Sequence, residues 1–209
     1  MKVTQTRDVF TYDELEPDAQ QRALEKLTED AWESLDSDMV AEDLAGFFDM
    51  LATGSDGAVL RRRELADKYG VRIYWSVAYS QSDHASIEGK LHRHELPKLA
   101  WPEGVTYARV SSRNYGGSRV ECVETDDDAY IEHGDLYDAT QQMIDDLNRK
   151  LYRYARQQIE GYTSEDYVLD AYRDFYELTR RFTIDGDYAP AAFWQSDDYT
   201  ETTTNEGDK

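Results

Sequence analysis

The sequence predicts an α+β fold: N-terminal helices, a central antiparallel sheet of about four strands, and long C-terminal helices. Two observations carry this. Apolar residues recur at helical spacing before residue 70 and again after residue 135, whereas between 71 and 124 they alternate one in two. A strong turn signal, Asn114-Tyr115-Gly116-Gly117, separates two of the alternating runs.

The first element begins in "TYDELEPDAQQRALEKLTEDAWESL". Thr11 or Asp13 caps a short turn, and Pro17 suits a first helical position, where its missing N–H costs nothing. Ala19, Ala23, Leu24, Leu27, Ala31, Trp32 and Leu35 then mark a helix over about 17–34. Asp36-Ser37-Asp38 breaks and recaps the chain, and Met39 to Leu51 forms a second helix that ends before Gly54-Ser55-Asp56-Gly57. A third, over 58–69, closes at Gly70 in a left-handed cap.

The period changes at Val71. Val71, Ile73, Trp75, Val77 and Tyr79 alternate with polar neighbours, as do Ala85, Ile87, Gly89 and Leu91, so 71–91 reads as a hairpin with a loop near 80–84. Strands over 105–110 and 119–124 complete the sheet. Leu136 to Gln158 traces one face of a long helix closing at Gly161. Ser164 caps another, whose buried face runs through Val168, Ala171, Tyr172, Phe175, Leu178, Thr179 and Phe182. The reading is a single α+β domain over 1–194 and a disordered acidic tail over 195–209.

Composition narrows function. A chain of 209 residues with 40% hydrophobic and 12% aromatic content supplies a core. The single Cys122 excludes an intramolecular disulfide and a Cys-based zinc motif. The N-terminal MKVTQTRDVF lacks a signal peptide's apolar run, and nothing approaches the roughly 18 apolar residues of a membrane span. These features predict a cytoplasmic protein without a membrane partner.

The net charge of −21 repels nucleic acid and anionic membranes and attracts basic surfaces. It is unevenly placed. Thirteen acids against Arg22 and Lys26 lie between Asp13 and Asp49, and ten acids with no Lys or Arg lie between Glu121 and Asp146. The segment from Asp56 to Arg119 holds seven acids and eleven basic residues. Salt-loving adaptation would coat the hairpins as well. Two readings of the blocks stand: solvated helix faces, or a surface whose carboxylates stand in for phosphates before a basic partner. The acids that would meet such a partner are Glu29, Asp30, Glu33, Asp36, Asp38, Glu42 and Asp43, then Glu124, Asp126, Asp127, Asp128, Glu132, Asp135 and Asp138.

No catalytic constellation stands out. Ser80, Gln81, Asp83 and His84 are residue types used in acyl transfer, but consecutive loop residues rarely converge as a triad, and such residues more often fix a turn. His92 and His94 share a strand face without a matched carboxylate or Cys set, with His133 elsewhere, so no metal is expected. Asp126-Asp127-Asp128 lacks the Gly and terminal Glu of a calcium loop and reads as a turn or helix cap. Arg61-Arg62-Arg63 reads as pairing with the acidic helices. No phosphate-binding loop or dinucleotide fingerprint occurs, so no cofactor is expected.

Two stretches carry a resemblance. "FTYDELEPDAQQRALEKL" and "IYWSVAYSQSDHASIEGKL" resemble a group of uncharacterised phage and prophage proteins. That group has a Tyr/Phe-x-Glu-Leu turn, a Pro-x-Ala-Gln helix start, and a hairpin of the form W-S-x-x-x-S-Q-G-D-G-A-x-x-x-G. Ser76, Ser80, Gln81, Asp83, Ala85 and Gly89 match, while Ser82 and His84 replace the two glycines. The resemblance covers 9–27 and 73–91. It implies a phage accessory factor acting on a host protein, and no functional residue is carried over from it.

The expectation is therefore a non-enzymatic interaction protein that inhibits a host defence complex, of CRISPR or restriction type, through DNA-mimicking acidic faces. Its partner would be a host protein with a basic, nucleic-acid-binding surface, without direct contact to nucleic acid. The alternatives are a ligand-binding protein or enzyme using the 80–84 loop, or a virion-associated structural protein. The oligomeric state stays open, a homodimer included.

Overall fold

The computed structural model describes residues 8–35, 37–54, 62–77, 83–113 and 117–190. Helices, a strand meander and helices follow one another in the predicted α+β order. The chain divides into two compact units, one built from Met1–Leu35 and Gly161–Lys209, the other from Asp36–Glu160.

The first unit joins the two ends of the sequence. A 3-10 turn, Tyr12–Glu14, is fastened by the Thr11 amide donating to the Glu14 carboxylate at 2.8 Å. Asp13 does not cap it; its carboxylate pairs with Arg173 at 2.9 Å. Helix α1 (Pro17–Glu33) starts on its proline, as predicted. Ala19, Ala23, Leu24 and Leu27 bury one face, packed with Tyr12, Leu15, Val168, Tyr172 and Phe182 into a core. Phe10 and Phe182 exchange two backbone hydrogen bonds, of 2.9 and 2.8 Å, which close this core between distant segments. Gly186 lies so close to α1 that an added Cβ would overlap the Ala19 carbonyl oxygen.

Helix α5 (Glu165–Ala171) is capped by Ser164, whose hydroxyl accepts the Tyr167 amide. It does not run on as a regular helix to Phe182. A π turn over Tyr172–Tyr176 follows, with the Glu177 amide bonded to the Tyr172 carbonyl at 2.8 Å. One extra residue per turn shifts the helical phase by about 100°. Tyr172 and Phe182 stay buried, while Phe175 and Leu178, predicted on the buried face, are exposed.

The second unit begins with α2 (Ser37–Thr53) and α3 (Arg62–Tyr69). Gly70 ends α3 at φ 65°, its amide bonded to the Ala66 carbonyl at 2.9 Å, the left-handed cap the sequence predicts. The sheet has five antiparallel strands rather than about four: β1 (Val71–Ser76), β2 (His84–His92), β3 (Val105–Ser112), β4 (Ser118–Thr125) and β5 (Tyr130–Ile131), paired in chain order. β5 offers only two residues, too few for an alternation to be read. Val71, Ile73, Ala85, Ile87, Leu91, Ala108, Val110, Val120 and Val123 are buried along the strands. α2 adds Val40, Leu44, Phe48 and Ala52.

The long helix α4 (Asp135–Tyr162) lies against β4, and Phe47 of α2 stacks on its Tyr154 with ring centroids 4.1 Å apart. β5 pairs only with Val123 and Glu124, so the earlier backbone of β4 needs other partners. Gln141 supplies them. Its carbonyl oxygen accepts the Val120 amide and its amino group donates to the Ser118 carbonyl, both at 2.9 Å. The Tyr137 hydroxyl adds a bond to the Val120 carbonyl. The Ser118 hydroxyl in turn bridges the amide and carbonyl of Ile87 at 2.8 Å each, where β2 has no β3 partner. Among the described residues no helix is long and apolar enough to cross a membrane.

Candidate functional site

The acids predicted as a partner surface fall into both units. In the first, α1 places Glu25, Glu29 and Glu33 one turn apart on its solvent side, opposite Ala23, Leu24 and Leu27. Successive carboxylates in such a stripe are separated by about 6 Å of helix rise. The two cations of α1 do not neutralise it. Arg22 donates to the Asp185 carbonyl at 2.6 Å, and Lys26 pairs with Asp187 at 2.9 Å. Glu29 and Glu33 have no ion pair among the described residues.

Asp30 has a different role. It accepts both the Arg180 guanidinium and the Tyr188 hydroxyl, so it ties α1 to the C-terminal segment. Burial, followed by the adjacent Asp30 carboxylate, pushes the Tyr188 hydroxyl well above the ordinary tyrosine range. Glu25 stands apart from the run of acids that begins at Glu29, so the sequence does not mark it; its i,i+4 relation to Glu29 places it in the stripe.

In the second unit, Asp38 and Glu42 are exposed on α2 and Asp43 is half-buried. Asp36 lies outside the described residues. Asp49, by contrast, is a buried structural acid, accepting the Tyr69 hydroxyl at 2.6 Å and Lys68 at 3.2 Å.

Glu124 pairs with Tyr130 one residue before β4 ends, and Asp126-Asp127-Asp128 forms the turn into β5, with Asp128 at φ 57° and its amide bonded to the Thr125 carbonyl at 2.9 Å. The Thr125 hydroxyl donates to Asp127 and holds its carboxyl below the usual range. Asp126 and Asp127 line an open depression of about 450 Å³ together with Ile131 and Leu136. Asp135 and Asp138 occupy the first turn of α4, where the helix dipole favours them, and Glu132 is exposed just before it. The turn acids therefore have local structural work as well as exposure. In the Glu25–Glu29–Glu33 stripe Glu25 accepts the Gln21 amide at 3.4 Å, and among the described residues Glu29 and Glu33 have no such contact.

The hairpin residues separate cleanly. Ser80 and Gln81 lie outside the described residues, and Asp83 is half-buried at the foot of β2. Ala85 is buried opposite Trp75. Gly89 is required by packing, since a Cβ there would overlap the Gly70 carbonyl oxygen. The rings of His92 and His94 are 5.4 Å apart, and His92 packs on Tyr107 at 4.9 Å. Among the described residues no group of three or more His, Cys, Asp or Glu side chains is placed to hold a metal ion. The side chains of Arg61, Arg62 and Arg63 lie outside the description.

Compared with known proteins, the chain matches no protein-family model, no curated protein and no solved structure.

Proposed function

We propose that this chain is a phage-encoded accessory protein that binds a basic, nucleic-acid-binding surface of a host defence complex of CRISPR or restriction type. Its acidic helical faces take the place of DNA. The observation that carries this reading is the α1 stripe: Glu25, Glu29 and Glu33 stay together while Arg22 and Lys26 are engaged elsewhere. Like charges at i,i+4 cost about 0.2–0.5 kcal/mol per pair, so the stripe lowers the helix's own stability. A basic partner recovers that cost and releases the counterions that its nucleic-acid site otherwise holds.

The test is capture of partners by the tagged full chain from infected host cells. The reading expects a basic nucleic-acid-binding complex that is released by salt and displaced by duplex DNA. It also expects capture to be lost with E25K/E29K/E33K. Capture insensitive to salt and to these reversals sinks it. Recovery of the chain in purified virions would replace it with a structural role.

A further inference from the structure

We propose that an apolar ridge running from α5 through the π turn to Leu178 just beyond it, formed by Tyr167, Phe175 and Leu178, docks a basic amphipathic helix of a partner protein. This rests on the reading above and names the kind of segment that the acidic surface receives. Phe175 is 74% exposed, Leu178 82% and Tyr167 48%. Scattered exposed apolar residues are ordinary, but a contiguous apolar surface marks a binding site. Tyr167 and Phe175 lie two turns apart, and Leu178 follows three residues later, so the three form one line along the element. The π turn creates this line, because it rotates Phe175 and Leu178 away from the Val168–Tyr172 face that packs on α1.

The border of the ridge selects its occupant. Asp170 and Asp174 are exposed beside it, with Glu177 half-buried. The nearby cations are already committed. Arg173 pairs with Asp13 at 2.9 Å and stands 3.9 Å from Asp170. Arg180 binds Asp30 and lies over the Tyr176 ring at 4.6 Å. An apolar line with an acidic border repels nucleic acid, anionic lipid and a second copy of a chain carrying −21. It complements a helix with leucine-like residues on one face and Lys or Arg beside them, read at i, i+3, i+4 and i+7.

The experiment uses the full chain and two fluorescently labelled helical peptides of equal positive charge. One has leucines on one face and lysines on the other; its counterpart has every leucine replaced by glutamine. Fluorescence anisotropy should show the leucine peptide binding about tenfold tighter. F175S/L178S should erase that preference while circular dichroism stays unchanged, since both side chains are exposed. D170N/D174N, which neutralises the border of the ridge, should weaken both peptides alike and keep the preference. Equal binding of the two peptides, a preference that survives F175S/L178S, no response to D170N/D174N, or absence of binding to either peptide overturns the ridge. Capture of the partner by the full chain with and without E25K/E29K/E33K decides the acidic reading separately, so the two can fail independently.

Discussion

The Tyr188 hydroxyl donates to the Asp30 carboxylate at 2.9 Å, on the same oxygen that accepts the Arg180 guanidinium. Arg180 lies over the Tyr176 and Tyr188 rings at 4.6 and 5.6 Å, so one carboxylate organises a charge, a hydroxyl and two aromatic faces. D30N removes the charge and keeps the shape. Asp30 and Arg180 are each about a third exposed, so solvent screens the loss, and D30N should cost about 1–2 kcal/mol in urea denaturation. Y188F should cost about 1 kcal/mol.

The same contact sets a pH dependence. Burial and then Asp30 raise the Tyr188 hydroxyl above its unfolded value, so the folded state holds that proton more tightly. Its stabilising contribution is complete below the unfolded tyrosine value of about 10 and is lost as pH rises beyond it. Urea midpoints measured from pH 8 to 11 should fall for the parent and fall less for Y188F. Equal slopes would show that Tyr188 does not drive the loss.

Three glycines separate clash from freedom. Gly186 has φ 82° and no space before the Ala19 carbonyl, so G186A should cost upward of about 2 kcal/mol. Gly89 faces the Gly70 carbonyl and should behave similarly. Gly161, inside α4 with open space around it, predicts the opposite sign: G161A should stabilise by about 0.5–1 kcal/mol. Thermal or urea unfolding of the three variants checks the order.

Gln141 replaces a strand partner for β4. Q141A leaves the Val120 amide and Ser118 carbonyl without their bonds, at about 1–3 kcal/mol. Hydrogen exchange should quicken at Val120 before it does at Val123, whose strand also pairs with β5.

Neutralising the α1 stripe should improve the isolated protein. E25Q/E29Q/E33Q removes two like-charge contacts, a gain of about 0.2–0.5 kcal/mol each that shrinks as salt rises. A higher melting temperature together with weaker partner capture would show opposing demands on one helix face.

Periodicity made most of the architecture readable. The alternation from Val71 and the helical recurrence from Leu136 located the sheet and α4, and Pro17 and Gly70 marked helix ends by backbone chemistry alone. The π turn was not readable: nothing in Tyr172–Tyr176 departs from helical spacing, and the one-residue phase slip arises where Tyr172 and Phe182 both bury against α1. For that reason Phe175 and Leu178 were expected on the wrong side. Of the acids, a run on the page could not separate Asp30, which Arg180 holds, from Glu29 and Glu33, because the partner lies 150 residues away.

The Phe10–Phe182 pairing has a consequence for synthesis. α1 leaves the ribosome early, yet the segments that cover its apolar face arrive only after the whole of residues 36–160 has been made. During that interval the first unit has no core of its own, while the inserted unit already has its strands and α4. Loss of the last 28 residues, from Phe182 onward, would therefore leave α1 half covered: Val168 and Tyr172 would still reach it, but Phe182, its pairing with Phe10 and the Tyr188 bond to Asp30 would be gone.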